Sequence, residues 1–539
     1  MKIIQKLKDF LGRIKTGVSR FSIPFGFSVV LFLILAYSII FEKSDSEIII
    51  PLIFGAGFGL VVSILLKIMS ERCRKIAPNF IVQLILSSIT AIACFVLTYI
   101  LKIDNAYVFA AYWGLIISCG CFGFYLLSRG ENDQTIFSHT ISSIVFTGAI
   151  CAILSAGISI CIAAVQFLIF DFEGDTIWKI LAVANLFIWS VVAVNLFLSY
   201  IPEKDTKVTA PKVFKMLSLY VGLPLYMLLI AVLFVYLAKI VITLKMPIGE
   251  INWFASFAAL FFIFFMLSVR QYEERSAQLF TRFGGYLLIP VVIVQGIAIM
   301  ERVVAYGLTT PRTCSIILVL IGLMFIITSL ISQKHLSKVY IAAGIIVLLV
   351  TITPLNVISI PKYSQQNILE EVLIKNNMLK DGAIIPNESI SQEDKDRILS
   401  SYHYLEYAEG KKVDFLKDTE NLNTLEIFGF EQKYSDNINK YYTFSCKDSI
   451  DISGYNRMVD AYGKSDNMIE VEVDGKKTVI DTKDVFQKLY DKHGKDNNDL
   501  DLYIVSDKIA LYIKQLSGDI SSDNKIEYCY FEGYVLLKN

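Results

Sequence analysis

The sequence is short of charge, proline and histidine. Of its 539 residues, 19% are charged, 12 are proline and four are histidine. Soluble proteins carry about 25% charged residues, so this deficit excludes a single soluble globular body. A hydrophobic content of 55% excludes a disordered chain, and a mean hydropathy of +0.55 assigns most of the chain to lipid. His139, His335, His403 and His493 are far apart and no Cys-x-x-Cys occurs, so a zinc signature is missing. Gly463-Lys464-Ser465 resembles the end of a phosphate loop, but Met458 stands where the first glycine belongs. No cofactor, metal or catalytic constellation is implied.

What is present is unevenly distributed. Residues 1 to 360 carry 27 basic and 17 acidic side chains, and residues 361 to 539 carry 23 and 33. Three parts are expected: a basic amphipathic lead-in (1–22), a multispanning membrane domain (23–360) and a soluble α+β domain (361–539). In the lead-in, Lys2, Lys6, Lys8, Arg13, Lys15 and Arg20 alternate with apolar residues at helical spacing. This pattern suits a helix lying on an anionic membrane surface, or a plain charged approach to the first span. Seven of the nine cysteines fall in or beside apolar runs, where a thiol packs as a small hydrophobe. Cys446 and Cys529 lie in the tail, and the sequence leaves open whether they pair.

A spanning helix needs about 20 mostly apolar residues. Eleven such runs are expected, at 23–41, 48–69, 79–101, 107–127, 141–170, 178–201, 216–244, 253–269, 286–305, 313–332 and 339–360. An odd number puts the two termini on opposite sides. With the N-terminus inside, the cytoplasmic segments hold twenty basic residues and the opposite segments seven; positive residues stay cytoplasmic. The expected arrangement is therefore a multi-pass protein of the cell membrane with an extracytoplasmic tail.

No ionisable residue lies deep in a span, which disfavours proton-coupled transport. Gln83, Gln166, Asn185, Asn195 and Gln295 remain as neutral polar groups expected to bond neighbouring helices. Gly55-x-x-x-Gly59 and Gly120-x-x-Gly123 are expected to let helix backbones approach closely. The ninth span holds Pro290, Gln295 and Gly296 and runs into Glu301-Arg302, Tyr306-Gly307-Leu308-Thr309 and Arg312. Opposite charges one turn inside a boundary turn toward protein or water. Glu301, Arg302, Tyr306, Thr309 and Arg312 are thus the candidate binding residues, against the alternative of an interfacial anchor in which Arg302 pairs with a carboxylate or with carbonyls.

In the tail, a helix is expected over 364–380 with Ile368, Val372 and Leu379 on one face. A second opens at Ser391-x-x-Asp394 with Ile398, Tyr402 and Leu405 inward. Asp474-Gly475 between 468–473 and 476–481 signals a hairpin. A short helix near 482–493 and strands near 501–505, 509–515 and 525–537 complete the α+β reading. Clustered Asp496, Asp499 and Asp501 lack the glycine and glutamate of a calcium loop.

Three stretches resemble a bacterial membrane family, the domain of unknown function 4153. They are Glu301-Arg302 through Tyr306-Gly307-Leu308-Thr309 to Arg312; Gln365 through Asp381-Gly382 and Ser391 to Asp394 to Tyr404-Leu405; and Phe428-Gly429-Phe430 with Ile452-Ser453-Gly454-Tyr455. The likeness covers the chain from about Phe214 and implies a polytopic bacterial membrane protein of uncharacterised activity. Three functions are open: an envelope platform whose tail binds a protein, wall polymer or small ligand; a transporter or exporter component, with helices broken at Pro224 and Pro290; and an enzyme acting on a lipid-linked substrate through Glu42, Asp45 and Glu47. The lipid bilayer is an expected partner, and nucleic acid is not expected to meet an acidic tail on the far side of a membrane.

Overall fold

The computed structural model describes residues 12–538, apart from 13, 44–45, 74–77, 103–104, 130–132, 169–174, 205, 244–249, 381, 408–415, 417–421, 431–439, 448–450, 463–467, 474–475, 494–496 and 521–525. Most of the basic lead-in, Asp45, Gly463-Lys464-Ser465 and Asp496 lie outside the described residues. Among the described residues eleven helices are long and apolar enough to cross a membrane: Ser22–Ile40, Ile49–Arg72, Phe80–Leu101, Ala106–Ser128, Ile136–Gln166, Thr176–Ser199, Lys212–Thr243, Asn252–Val269, Arg275–Tyr306, Thr310–Ile331 and Gln333–Ile352. They are the first to eleventh spans below. The chain is a polytopic α-helical membrane bundle followed by a C-terminal region of β-sheets, and it divides into two compact units, 1–429 and 430–539.

The two largest departures from the expected span ends are in the eleventh and ninth helices. The eleventh helix stops at Ile352, before Thr353-Pro354, because the residue preceding a proline is pushed out of the helical region. Asn356 then accepts from the Ile358 and Ser359 amides, at 2.9 and 2.7 Å, and starts the helix Ser359–Lys375. The ninth helix begins at Arg275, because the polar residues of its first turns lower the hydropathy without breaking the helix. It also runs through Pro290 unbroken. At Pro224 the seventh span widens into a π-helical turn, Met216–Gly222, where the chain tolerates a proline without parting. Neither proline therefore breaks its helix.

The glycines sort into two kinds. A Cβ on Gly55 would sit 2.8 Å from the Ala91 carbonyl oxygen, one on Gly59 2.4 Å from the Phe27 ring, and one on Gly114 2.1 Å from Thr351 Oγ1. These are close helix approaches. The expectation fails at Gly120, where nothing lies within 4 Å, and at Gly123, whose nearest neighbours are the Leu65 and Ile68 side chains at 4.0 Å. There the missing side chains leave a gap.

The loops at one end of the bundle are tied together. Arg20 donates to Glu71 (2.6 and 2.9 Å) and to the Ile201 carbonyl (2.6 Å), and His139 Nε2 meets the Tyr200 carbonyl at 2.9 Å. Arg270, almost fully buried, pairs with Asp133 at 3.2 Å and bonds its backbone carbonyl. Lys215 pairs with Glu274. At the other end Lys179 pairs with Glu42, and Lys102 with Glu47 at 3.6 Å.

The second unit contains a six-stranded sheet ordered β4 (Arg457–Tyr462), β10 (Ile526–Leu537), β9 (Ile509–Ile520), β3 (Lys440–Cys446) and β7 (Asn497–Leu500), with β8 (Tyr503–Ser506) also on β9. Twelve-residue β9 is long enough to pair with β8 along its first half and β3 along its second. The expected hairpin is present as β5 (Met468–Val473) against β6 (Lys476–Asp481), in register from Met468↔Asp481 to Val473↔Lys476. The helix Thr482–His493 buries Val485, Phe486 and Leu489 in the same core as Phe444, Leu511, Ile513 and Phe531. Cys446 and Cys529 are both buried free thiols in strands on opposite sides of β9, so they do not pair.

Gly114→Val should lower the stability of the purified chain by about 1–3 kcal/mol through overpacking, whereas Gly120→Ala should change it by no more than about 1 kcal/mol. Thermal unfolding in detergent measures both.

Candidate functional site

The loop between the ninth and tenth spans begins where Gly307 ends a helix. Its φ of +71° favours glycine, and a Cβ there would lie 2.3 Å from Ile368 Cδ1 of the helix Ser359–Lys375. The Gly307 amide donates back to the Val303 carbonyl at 2.8 Å. Thr309 caps the next helix, its carbonyl accepting from the Thr313 amide at 2.9 Å, and Pro311 occupies the first turn, where its missing N–H costs nothing.

The helix Ser359–Lys375 buries Pro361, Gln365, Leu369, Val372 and Leu373, a helical stripe with one polar member. Gln365 is 2% exposed. Its Nε2 donates to the carbonyls of Tyr306 and Leu308, both at 2.8 Å, while its Oε1 accepts from Ser401 Oγ at 2.8 Å. Ser364 Oγ accepts from the Leu308 amide at 3.0 Å, and Tyr404 OH accepts from the Thr310 amide at 3.2 Å and shares a hydrogen bond with Thr310 Oγ1 at 2.8 Å. Arg312 donates to the Gly307 carbonyl at 2.7 Å, with its guanidinium 5.8 Å from the centre of the Tyr306 ring. The loop's backbone is thus clamped from both flanks.

Of the sequence-derived candidates, Tyr306, Thr309 and Arg312 meet at this clamp, through a backbone carbonyl, a helix cap and a guanidinium respectively. The carbonyl-pairing expected of Arg302 is carried out by Arg312. Arg302 is half-buried and Glu301 exposed, and among the described residues neither makes a hydrogen bond or ion pair. Gln365, Ser401 and Tyr404 were not among the candidates. The available signal was an amide on the apolar stripe of a helix, four residues before Leu369.

Tyr404 and Ser401 are carried by the helix Gln392–Tyr407, which packs on the first tail helix and buries Ile398, Leu399, Tyr402 and Leu405, as the first buries Leu369 and Leu373. Ser391 Oγ accepts from the Asp394 amide at 3.2 Å, as its spacing implied. Asp394, 4% exposed, accepts from Lys375 Nζ at 2.9 and 3.0 Å and from Asn376 at 3.2 Å. The Lys375 ammonium, aided by Asn376 and Ser391, holds this carboxyl below the usual carboxylate range against the opposing effect of desolvation. The expected tail helix ends five residues early, at Lys375. The next residues turn through Gly382 (φ +79°) between β1 (Leu379–Lys380) and β2 (Ala383–Ile384).

Within the spans, Asn185, Asn195 and Gln295 bond neighbouring helices as expected, whereas Gln83 bonds the loop just before its own helix. Asn185 bonds Ser155 and Ser159 of the fifth span, Asn195 bonds Ser28 of the first at 3.1 Å, and Gln83 bonds the Pro78 carbonyl at 2.8 Å. Gln295, fully buried, donates to Asn252 Oδ1 (3.0 Å) and Ser256 (2.8 Å) of the eighth span, and Asn252 reaches Ser315 of the tenth at 3.1 Å. Glu42 and Glu47 are engaged by lysines. Among the described residues no three His, Cys, Asp or Glu side chains are grouped to hold a metal.

Gln365→Ala should orphan two loop carbonyls, cost about 1–3 kcal/mol and speed amide exchange at Leu308 and Thr310. Because the folded carboxyl of Asp394 ionises below its unfolded value of about 3.9, its contribution is complete above that pH and is lost as pH falls through the folded value. Acid unfolding of the helix pair should therefore begin at a higher pH in Asp394→Asn than in wild type, as read by circular dichroism between pH 5 and 2 (roughly the carboxylate range).

A family model described as "Domain of unknown function (DUF4153)" matches residues 29–384. The match begins well before Phe214, so the early spans belong to it too, and it stops ahead of Tyr404-Leu405, Phe428-Gly429-Phe430 and Ile452–Tyr455, which lie outside it. No curated protein and no solved structure matches the chain. With about two thirds of its length covered, from within the first span to the tail helix that carries Gln365, the chain belongs to the DUF4153 family.

Proposed function

We propose that this integral membrane protein is a bacterial cell-envelope platform: its N-terminus is cytoplasmic, and its tail, beyond the eleventh span, is extracytoplasmic and binds a protein, wall polymer or small ligand. The observation that carries this reading is the Gln365 clamp. Polar groups at the candidate site are spent on fixing the tail's first two helices to the loop Gly307–Thr309, which suits a mount better than a reaction centre. The gathering of Arg20, Arg270 and Lys215 with their partners at one end supports assigning that end to the cytoplasm by the positive-inside rule. The domain boundary expected at 361 is kept for topology, while the clamp makes residues 359–407 a collar on the bundle.

The transporter reading is favoured by one observation: among the described residues, Gln295 Oε1 is buried in the spans without a hydrogen-bond partner. An orphaned acceptor at that depth costs about 1–3 kcal/mol and is a place for a transient donor. The enzyme reading has less support, since Glu42 and Glu47 are held in ion pairs.

A reporter active only in the cytosol, fused after Asn539, should be silent, and a photo-crosslinker at exposed Ile504 should capture an envelope component that one at Lys338 does not. A bright reporter removes the topology. Identical capture profiles at the two positions remove the platform.

A further inference from the structure

The gap left by Gly120 and Gly123 is the floor of a crevice of about 150 Å³ between the second, fourth, fifth and sixth spans. Leu65, Ile68, Leu127 and Phe197 line it, and its wall is almost wholly apolar. Three polar side chains among its lining residues are engaged by backbone carbonyls. His139 meets the Tyr200 carbonyl, Thr140 donates to the Ile136 carbonyl at 2.8 Å, and Ser143 donates to the His139 carbonyl at 2.8 Å. The crevice therefore suits an apolar occupant better than a polar one. Every lining residue lies toward the same end of its span, the end that carries Arg20, Glu71 and Arg72. Arg129 stands at this end, immediately after the fourth span. It is exposed, with its guanidinium 5.9 Å from the Tyr125 ring centre and 4.0 Å from Cys73 Sγ, and it faces no carboxylate among the described residues.

We infer that this crevice is a binding site for an anionic phospholipid, with one acyl chain lying over Gly120 and Gly123 and the headgroup phosphate at Arg129. The occupant follows from the surroundings: the crevice lies among membrane spans, where acyl chains are the available apolar matter, and the cation two residues beyond its lining residue Leu127 selects headgroup charge. An acyl chain gains contacts there that a filled helix face would deny it. This inference is independent of the platform reading, because it concerns the opposite end of the bundle from the tail.

The test uses the full chain purified in detergent, with phosphatidylglycerol or phosphatidylcholine added back and bound lipid counted by native mass spectrometry. Wild type should retain phosphatidylglycerol in preference to phosphatidylcholine. Gly120→Leu, whose side chain enters the open space, should abolish retention of both. Gly148→Leu, which also adds a side chain in open space on a span but away from the crevice, should change nothing. Arg129→Gln should weaken phosphatidylglycerol retention about fivefold, the effect of one interfacial cation, and leave phosphatidylcholine unaffected. Equal retention of the two lipids by wild type, or retention that survives Gly120→Leu while Gly148→Leu shows the protein to be folded, overturns the proposal. So does a Gly120→Leu chain that loses only a dimer peak, since the crevice would then seat a second copy.

Discussion

A backbone leaving a helix near the bilayer boundary must find partners for its amides and carbonyls within the protein, because hydrocarbon offers none. The short turn Gly307–Thr309 meets this constraint by borrowing. Tyr306 and Leu308 give their carbonyls to Gln365, Gly307 gives its carbonyl to Arg312, and Leu308 and Thr310 give their amides to Ser364 and Tyr404. Because Ser364, Gln365 and Tyr404 come from two helices that follow the last span, the need of one loop fixes where the beginning of the tail is held. The collar of residues 359–407 is the result.

The same economy of polar groups governs the interior. Asn185 and Gln295 join consecutive spans, Asn195 joins the sixth span to the first, and the charged pairs sit at the two ends. Between these levels, packing depends on absent side chains. Gly55, Gly59 and Gly114 admit a neighbouring helix, and Gly120 and Gly123 admit none, although the two sets read alike in one dimension.

All eleven spans were legible because apolar length is a local property, and so were the Ser391 cap, the Asp474-Gly475 hairpin and the helix near 482–493. The ends were less so. A polar first turn hid the start of the ninth helix, and Pro354 was overlooked as its stop signal for the eleventh. The helix Thr424–Phe428 went unread although Asn423 and Glu426 form a capping box, a signal present in the sequence. β3 and β4 lacked clean alternation at their flanks. The clamp was out of reach for a different reason. Glu301 and Arg302 draw attention as charges near lipid, whereas Gln365 acts only because folding brings it against a loop nearly sixty positions earlier.

The ninth span is one uninterrupted rod of 32 residues, about 48 Å long at 1.5 Å per residue. Its last turn is gripped by the collar, and its first is anchored through Glu274 to Lys215. One continuous helix, with Pro290 inside it, therefore joins the collar at one end of the bundle to the Lys215–Glu274 pair at the other.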